Sequence, residues 1–193
     1  MTPSGRPRFA LDQNFPTPII EALGAYIVEA ELVPLARLHP RLPTLDDWAL
    51  LVALSQQTPS CAGLVTTDNS MLLQERELAV LLQTKLTLVV AHASGDDPLK
   101  ATGLLLTHLP WIARQEHRHR PQLWELRTAN KKPDDPWDRL RRIAAQQGSD
   151  DPRALYDRHR LGSLKQLAQT LLTPRGGRRS SAASRPAGDR RKR

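Results

Sequence analysis

The chain has 193 residues, of which 39% are apolar, and it carries a formal net charge of +8. This length suits one ordinary domain with additions, and the apolar fraction is sufficient for a buried core. The apolar runs are too short to cross a bilayer, and no secretory signal pattern is present. The single Cys61 excludes an intramolecular disulfide and a multi-cysteine zinc site. We therefore expect a cytoplasmic protein without a membrane partner.

The first elements of the chain are a strand and a helix. Phe9 to Leu11 is a short apolar strand, and Pro16 opens a helix in which apolar residues recur at helical spacing from Ile19 to Ile27. Leu32 to Leu38 predicts a second strand. Pro34 places that strand at the edge of a sheet, because proline cannot donate a hydrogen bond to a neighbouring strand.

The middle of the chain continues this alternation. Thr44 to Asp47 has the form of a capping box, which predicts a buried helix that continues to about Gln57. The elements that follow are a strand at Gly63 to Thr66, a helix at Gln74 to Gln83, a strand at Leu86 to His92 and a helix at Pro98 to Arg114. Because connections of this length join parallel strands, the pattern predicts an α/β fold, a three-layer α/β/α sandwich with a mainly parallel central sheet.

Acidic residues lie where the strands of this sheet are expected to end. Asp12 follows the first strand, Asp68 follows the third, and Asp46 and Asp47 begin the helix that leads into the third strand. Ligands of parallel α/β sheets bind at the carboxyl ends of the strands, so these carboxylates can converge there. Converging carboxylates repel one another unless a divalent cation lies between them, and hard oxygen ligands select Mg²⁺ or Mn²⁺. Such a site can activate water and bind phosphate oxygens for phosphodiester hydrolysis.

Each of these acidic residues also has a purely structural explanation. Asp12 can start an Asx turn, Asp68 can cap the turn that follows it, and Asp47 can complete the capping box. If Asp47 has that capping role, Asp46 is the residue left to face a metal. The sequence leaves the choice between these two neighbours open.

Four segments of the chain together resemble a known family. FALDQNFP, LDDW, LVTTDNSM and LTLVVAH occur in an order and spacing similar to those of the PIN-like nucleases, in particular the group related to VapC toxins. The resemblance covers Phe9 to Leu126. It implies a compact α/β/α sandwich, a cluster of acidic residues that binds Mg²⁺ or Mn²⁺, and cleavage of RNA.

The resemblance also implies roles for particular residues. Asp12, Asp46 and Asp68 would be the catalytic acids, and these three together with Asp47 would be the metal ligands. The polar residues that would support them are Asn14, Thr66 and Asn69. Family members often have further acids at the positions of Gln13 and Ser70, and both residues are neutral here.

The later part of the chain adds helical and basic segments. Gln122 to Leu126 predicts a fifth strand at a sheet edge, and Pro136 begins a helix, followed by helical pieces at Ala154 to Tyr156 and Leu164 to Leu172. We expect a PIN-like domain over residues 8–128, a helical extension over 129–173 and a disordered, Arg-rich tail over 174–193. Packing on the domain is the default expectation for the extension, and a homodimer surface or an antitoxin-binding surface is the alternative.

Basic residues of this part are candidates for contacts with phosphate. The tail, residues 174–193, has eight basic residues and one acidic residue, so it can bind a polyanion or serve only as a solvated end. His117 and His119 lie among arginines, which favours a basic surface over a metal site. The candidate nucleic-acid-binding residues are Arg114, Arg118, Arg120, Arg178 and Arg179.

These patterns predict a metal-dependent ribonuclease of the PIN-like type that hydrolyses RNA phosphodiesters, with the toxin of a toxin-antitoxin pair as one biological role. An antitoxin protein and a second copy of the chain are then candidate partners. The alternatives are a nucleic-acid-binding module with a degenerate site and a protein-interaction module whose basic tail contacts an acidic partner.

Overall fold

The computed structural model describes residues 5–13, 15, 17–92, 97–115, 120–127 and 132–173, with only the backbone of residues 17 and 18. Within these residues, five parallel strands form a sheet in the order β2-β1-β3-β4-β5. The strands are β1 (Arg8–Leu11), β2 (Glu31–Pro34), β3 (Gly63–Thr66), β4 (Thr87–Ala91) and β5 (Gln122–Leu126). The predicted fold class is confirmed, and the described sheet is wholly parallel.

Helices cover both faces of this sheet. The helices of the described residues are α1 (Thr17–Tyr26), α2 (Leu35–Leu38), α3 (Asp47–Ser55), α4 (Glu75–Leu82), α5 (Pro98–Arg114), α6 (Pro136–Gln146), α7 (Pro152–His159) and α8 (Leu164–Leu172), and short 3-10 helices cover Leu42–Thr44 and Asn69–Leu72. One face is covered by α1 and α5, and the other by α3 and α4 with α6, α7 and α8 outside them.

In β1, β3 and β4, neighbouring residues contribute alternately to two hydrophobic clusters, one on each face. In β3, for example, Leu64 packs in the cluster beneath α3 and α4, whereas Val65 packs in the cluster beneath α1 and α5. A strand that is buried on both faces has no polar side to alternate with. This explains why these three strands are composed mainly of apolar residues.

The centre of the sheet requires a glycine. Gly63 begins β3, is buried, and lies opposite Thr87 of β4. A Cβ atom at this position would overlap the backbone carbonyl oxygen of Thr87. Glycine therefore allows β3 and β4 to approach at their amino ends.

Side-chain caps mark the start of several helices. Asp97, Asp135 and Asp151 each precede a proline and accept a hydrogen bond from a backbone N–H group of the first turn. Ser163 accepts such a bond at the start of α8, where no proline follows it. The cap satisfies an N–H group that has no partner within the helix, and the proline presets the backbone φ angle. The predicted starts of α5, α6 and α8 are accordingly confirmed.

The predicted second strand is wrong in its second half. β2 ends at Pro34, and residues Leu35–Leu38 form α2 with Pro34 as the residue before its first turn. Proline has no backbone N–H group, so the hydrogen-bonded pairing of β2 with β1 ends at this residue. The prediction that this strand lies at a sheet edge is confirmed.

The predicted capping box is also wrong. α3 begins at Asp47, and its N-cap residue is Asp46 instead of Thr44; the side chain of Asp46 makes no capping hydrogen bond to the described residues. The hydroxyl group of Thr44 instead donates to the carbonyl oxygen of Arg41, 2.9 Å away, inside the preceding 3-10 turn. Because that turn occupies Thr44, the carboxylate of Asp47 is left for other contacts.

The helical extension packs on the domain, as expected, over residues 132–173. α8 packs against α3, and α6 and α7 pack against α4, so that Leu140, Leu155 and Ala168 join the cluster on that face. Glu75, the first residue of α4, accepts a hydrogen bond from Gln147 and lies 3.2 Å from a ring nitrogen of His159. Among the helices that the structure describes, none combines the length and apolar character that a membrane span needs.

Candidate functional site

The carboxyl ends of β1 and β3 form the crevice of this fold. These strands are neighbours, but the helix after β1 packs on one face of the sheet and the helix after β3 packs on the other. Such a topological switch point is where doubly wound sheets bind their ligands. Asp12 follows β1 directly, and Asp68 follows β3 after one further residue.

One hydroxyl group joins these two acidic residues. The buried side chain of Thr66, the last residue of β3, donates to Oδ2 of Asp12 at 2.7 Å and accepts the backbone N–H of Asp68 at 3.0 Å. Oδ1 of Asp12 accepts the backbone N–H of Gln13 at 2.7 Å. The carboxylate of Asp12 is therefore held in a fixed orientation at the end of the sheet.

Asp68 has the structural role that its position suggested. Its Oδ1 accepts the backbone N–H of Ser70 at 2.7 Å and caps the 3-10 helix Asn69–Leu72. Within the described residues nothing hydrogen-bonds to its Oδ2. Capping thus fixes the position of Asp68 and leaves one carboxylate oxygen available.

Asp47 lies among the other carboxylates. It is half-buried at the first position of α3, whereas Asp46 before it is exposed. The pKa of Asp47 is raised to about 6, chiefly by burial and then, in decreasing order of effect, by the negative charges of Asp68, Glu77, Asp12 and Asp46. The three predicted acidic positions therefore lie within electrostatic reach of one another, and Asp47 is the more buried member of the Asp46 and Asp47 pair.

The sequence analysis missed Glu77. This residue is the third of α4, its side chain is 5% exposed, and its Oε2 is buried without a hydrogen-bond partner in the described part of the chain. A signal was present, since Glu77 precedes Val80 and Leu81 by three and four residues and therefore lies on the buried face of its helix. A carboxylate on such a face is uncommon unless it has a partner or a ligand.

Two cavities lie near the sheet, at opposite edges. The one beside the acidic residues has a volume of about 450 Å³ and is lined by Asp46, Asp47, Trp48, Gln74, Arg76 and Glu77. The larger one, about 650 Å³, lies at the amino ends of β1, β3 and β4. Cys61 lines the larger cavity, where burial raises the pKa of its thiol, and this disfavours the reactive thiolate.

The oxygen donors at the carboxyl edge suit a hard cation in chemical type. They are the carboxylates of the site together with the buried Oδ1 of Asn69, which has no hydrogen-bond partner among the described residues. As the side chains are placed, however, no three Asp, Glu, His or Cys residues of the described chain lie close enough to hold one metal ion together. The carboxylates would need to move toward one another to share a cation.

The predicted nucleic-acid-binding arginines do not join this cluster. Arg114 ends α5 and Arg120 lies two residues before β5, so both are at the amino edge of the sheet, opposite Asp12. Arg118, Arg178 and Arg179 lie outside the described residues, as do Asn14, His117 and His119. The arginine that does line the acidic cavity is Arg76, which the sequence analysis did not single out.

Comparison of the chain with family models, with curated proteins and with solved structures finds no match.

Proposed function

We propose that this protein is a metal-dependent ribonuclease of the PIN-like type that acts at the carboxyl edge of its sheet. The observation that carries the proposal is the raised pKa of Asp47, about 6, among four other carboxylates at the topological switch point. An electrostatic arrangement of this kind is costly without a ligand and is common at functional sites.

Asp12, Asp47 and Asp68 would hold the cation, with Glu77 as a fourth carboxylate and Asp46 as the alternative to Asp47. The buried and unpartnered Oε2 of Glu77 supports this assignment, because a cation would supply the partner that the described residues do not. Oxygen donors of this type favour Mg²⁺ or Mn²⁺. When bound, such a cation supplies Lewis acidity for the activation of water and for charge stabilisation on a phosphodiester.

The other residues of the site position these carboxylates. Thr66 orients Asp12 through the hydrogen bond from its hydroxyl group, and the same oxygen fixes the backbone of Asp68. The backbone N–H of Ser70 donates a hydrogen bond to Asp68. This hydrogen bond does not depend on the Ser70 side chain, which is neutral where family members often have an acid. The rigid sheet end and the 3-10 turn thereby hold two of the acids before any ligand arrives.

The test is cleavage of RNA by the purified protein with Mn²⁺. We expect the parent to cut a mixed-sequence RNA and the Asp12→Asn and Asp68→Asn variants to lose at least about 100-fold in rate, since each removes a charged ligand. Asp157→Asn is the matched control, because Asp157 is exposed on α7 and does not line the cavity. Comparison of Asp46→Asn with Asp47→Asn would identify the second acid.

A parent protein that leaves RNA intact at all Mn²⁺ and Mg²⁺ concentrations would contradict the proposal. Equal rates for the parent, Asp12→Asn and Asp68→Asn would contradict it as well. Growth arrest on expression that Asp68→Asn abolishes would support the toxin role within this proposal. A cognate antitoxin and a homodimer remain predictions.

A specific observation favours a second candidate, a nucleic-acid-binding module with a degenerate site. Among the described residues no three metal-ligating side chains are within reach of a single ion, and Gln13 and Ser70 are neutral. This candidate predicts RNA binding that is unaffected by chelators and by the Asp12→Asn substitution. The ribonuclease proposal predicts instead that RNA cleavage is lost when a chelator is added and when Asp12 is replaced by asparagine.

A further inference from the structure

The acidic cavity contains an arginine that does not pair with its acidic neighbours. Arg76 lines the same cavity as Asp46, Asp47 and Glu77, yet in the described part of the chain it forms no ion pair or hydrogen bond. If the function of this guanidinium were to neutralise the carboxylates, contact with at least one of them would be expected. Its position therefore needs another explanation.

Arg76 is held by an aromatic ring instead. The guanidinium carbon lies 3.7 Å from the centroid of the Trp48 ring, and Trp48 is itself packed against the hydrophobic cluster. A guanidinium over an indole face is attracted by the ring quadrupole. The stacking restrains the exposed Arg76 side chain at the wall of the cavity while its N–H groups stay available.

A guanidinium with free N–H groups is suited to a phosphate. Its planar fork donates two parallel hydrogen bonds to phosphate oxygens, and it keeps its charge at any physiological pH. The other charged residues of the cavity are acidic and would repel a polyanion. Arg76 is thus the group of this cavity that can attract one.

We infer that Arg76, stacked on Trp48, forms a binding subsite for a backbone phosphate of RNA beside the carboxylate cluster. The inference rests on the proposed function in that the same cavity receives the RNA. It gives Arg76 a positioning role: the arginine fixes one phosphate at the wall of the cavity. Arg76 is not assigned to the reacting atoms.

The test measures binding separately from cleavage. A fluorescein-labelled oligouridylate of about 12 nucleotides, within the range of known single-strand site sizes, is titrated with the full chain in EDTA at several salt concentrations. We expect Arg76→Ala to weaken binding about tenfold, since it removes a charge-assisted contact, and to reduce the magnitude of the negative slope of log K against log salt by about 0.7. Lys85→Ala removes a charge at the opposite edge and is expected to change neither quantity.

Two further variants separate the stacked geometry from simple charge. Arg76→Lys keeps the charge but loses the planar fork, and Trp48→Leu keeps an apolar side chain but loses the aromatic face, so both are expected to weaken binding. Little loss of thermal stability is expected for the exposed Arg76, whereas Trp48→Leu also loses packing against the hydrophobic cluster. Binding by Arg76→Ala equal to that of the parent in strength and salt slope would overturn the subsite. Binding by Arg76→Lys equal to that of the parent would overturn the inference that the stacked guanidinium is needed and that charge alone is insufficient.

The outcome is independent of whether the protein cuts RNA. If Arg76→Ala loses binding in EDTA while the parent has no activity with Mn²⁺, the subsite stands and the ribonuclease proposal fails. If the parent cuts RNA and Arg76→Ala binds and cuts at the parental level, the ribonuclease proposal stands and the subsite fails. Both arms use the same purified proteins, with the oligouridylate for binding and the mixed-sequence RNA for cleavage.

Discussion

At the scale of single residues, the negative charge of Asp47 is disfavoured in the folded chain. Burial is the main cause, and the charges of Asp68, Glu77, Asp12 and Asp46 add to it, so the pKa rises to about 6 from an ordinary value of 3.8. The folded state therefore binds more protons than the unfolded state between these two pH values. Stability falls as the pH rises through this window, and the penalty is complete above about pH 6.

Asp47→Asn is accordingly expected to stabilise the protein at neutral pH. Removing the charge relieves the penalty, and after solvent screening of a half-buried carboxylate we expect a gain on the order of 1 kcal/mol at pH 7, equivalent to about 2–4 °C in Tm. The gain should vanish near pH 4, where Asp47 is protonated in the folded parent. Thermal unfolding across this pH range in EDTA measures both. A variant that is less stable than the parent at pH 7 would show that the carboxylate makes favourable contacts.

The sequence identified some of these residues and missed others for physical reasons. Asp12 and Asp68 could be predicted because Asp12 directly follows an apolar strand and Asp68 follows another after one further residue. The choice between Asp46 and Asp47 depended on one residue of helix register, which was fixed by a 3-10 turn that takes Thr44 as a local donor. Glu77 was missed because its role depends on which face of α4 is buried against the sheet.

At the scale of elements, an ion-pair cluster joins β5 to α6. Glu125, in the edge strand β5, is 7% exposed and accepts hydrogen bonds from Arg127 and from Arg139 of α6, and Arg139 also lies 3.0 Å from Asp134. Burial by itself would raise the pKa of Glu125. The hydrogen bonds from the two arginines outweigh burial, and the pKa lies below the ordinary value of 4.5.

Glu125→Gln is expected to destabilise the protein by about 1–3 kcal/mol at pH 7, because the largely buried Arg139 then keeps, among the described residues, only its ion pair with Asp134. A lowered pKa means that the stabilisation is present above the unfolded pKa of about 4.5 and is lost as the pH falls through the folded pKa. The difference from the parent in urea unfolding should therefore shrink at low pH.

The control for this substitution is Glu31→Gln. Glu31 pairs with Arg8 at 2.9 Å near the surface, where the glutamate side chain is 46% exposed. An exposed pair contributes about 0–1 kcal/mol, so we expect a small change. Equal effects of the two substitutions would contradict the view that burial of Arg139 sets the cost.

The elements that the sequence predicted best are those with local signals at their ends. The starts of α5, α6 and α8 coincide with caps and prolines in the sequence. The segment Leu35–Leu38 was assigned to a strand because it is apolar, and an apolar run of this length does not distinguish a strand from a short buried helix. Tertiary packing decided between them.

At the scale of the whole molecule, the alternation of strands and helices was sufficient to predict the α/β/α layers, because connections of that length join parallel strands. The strand order was not predictable in the same way. Placing β1 beside β3, with their helices on opposite faces, requires knowledge of which strands pair. That order brings Asp12 and Asp68 to one crevice, so the site is a property of the topology and not of either segment alone.

The charge of the molecule is uneven, which leads to a prediction for residues 174–193. These residues have eight basic side chains and one acidic side chain, whereas the crevice is acidic. A chain that ends at Thr173 is expected to bind the oligouridylate more weakly. The negative slope of log K against log salt is expected to be smaller in magnitude by up to about 5, since each phosphate neutralised on a single strand contributes about 0.7. The positions of any cuts in RNA should stay the same, because the carboxylates that would act on the phosphodiester lie in the crevice. Unchanged affinity and salt slope would show that the basic end does not contact phosphate, and altered cut positions would show that it selects the site of cleavage.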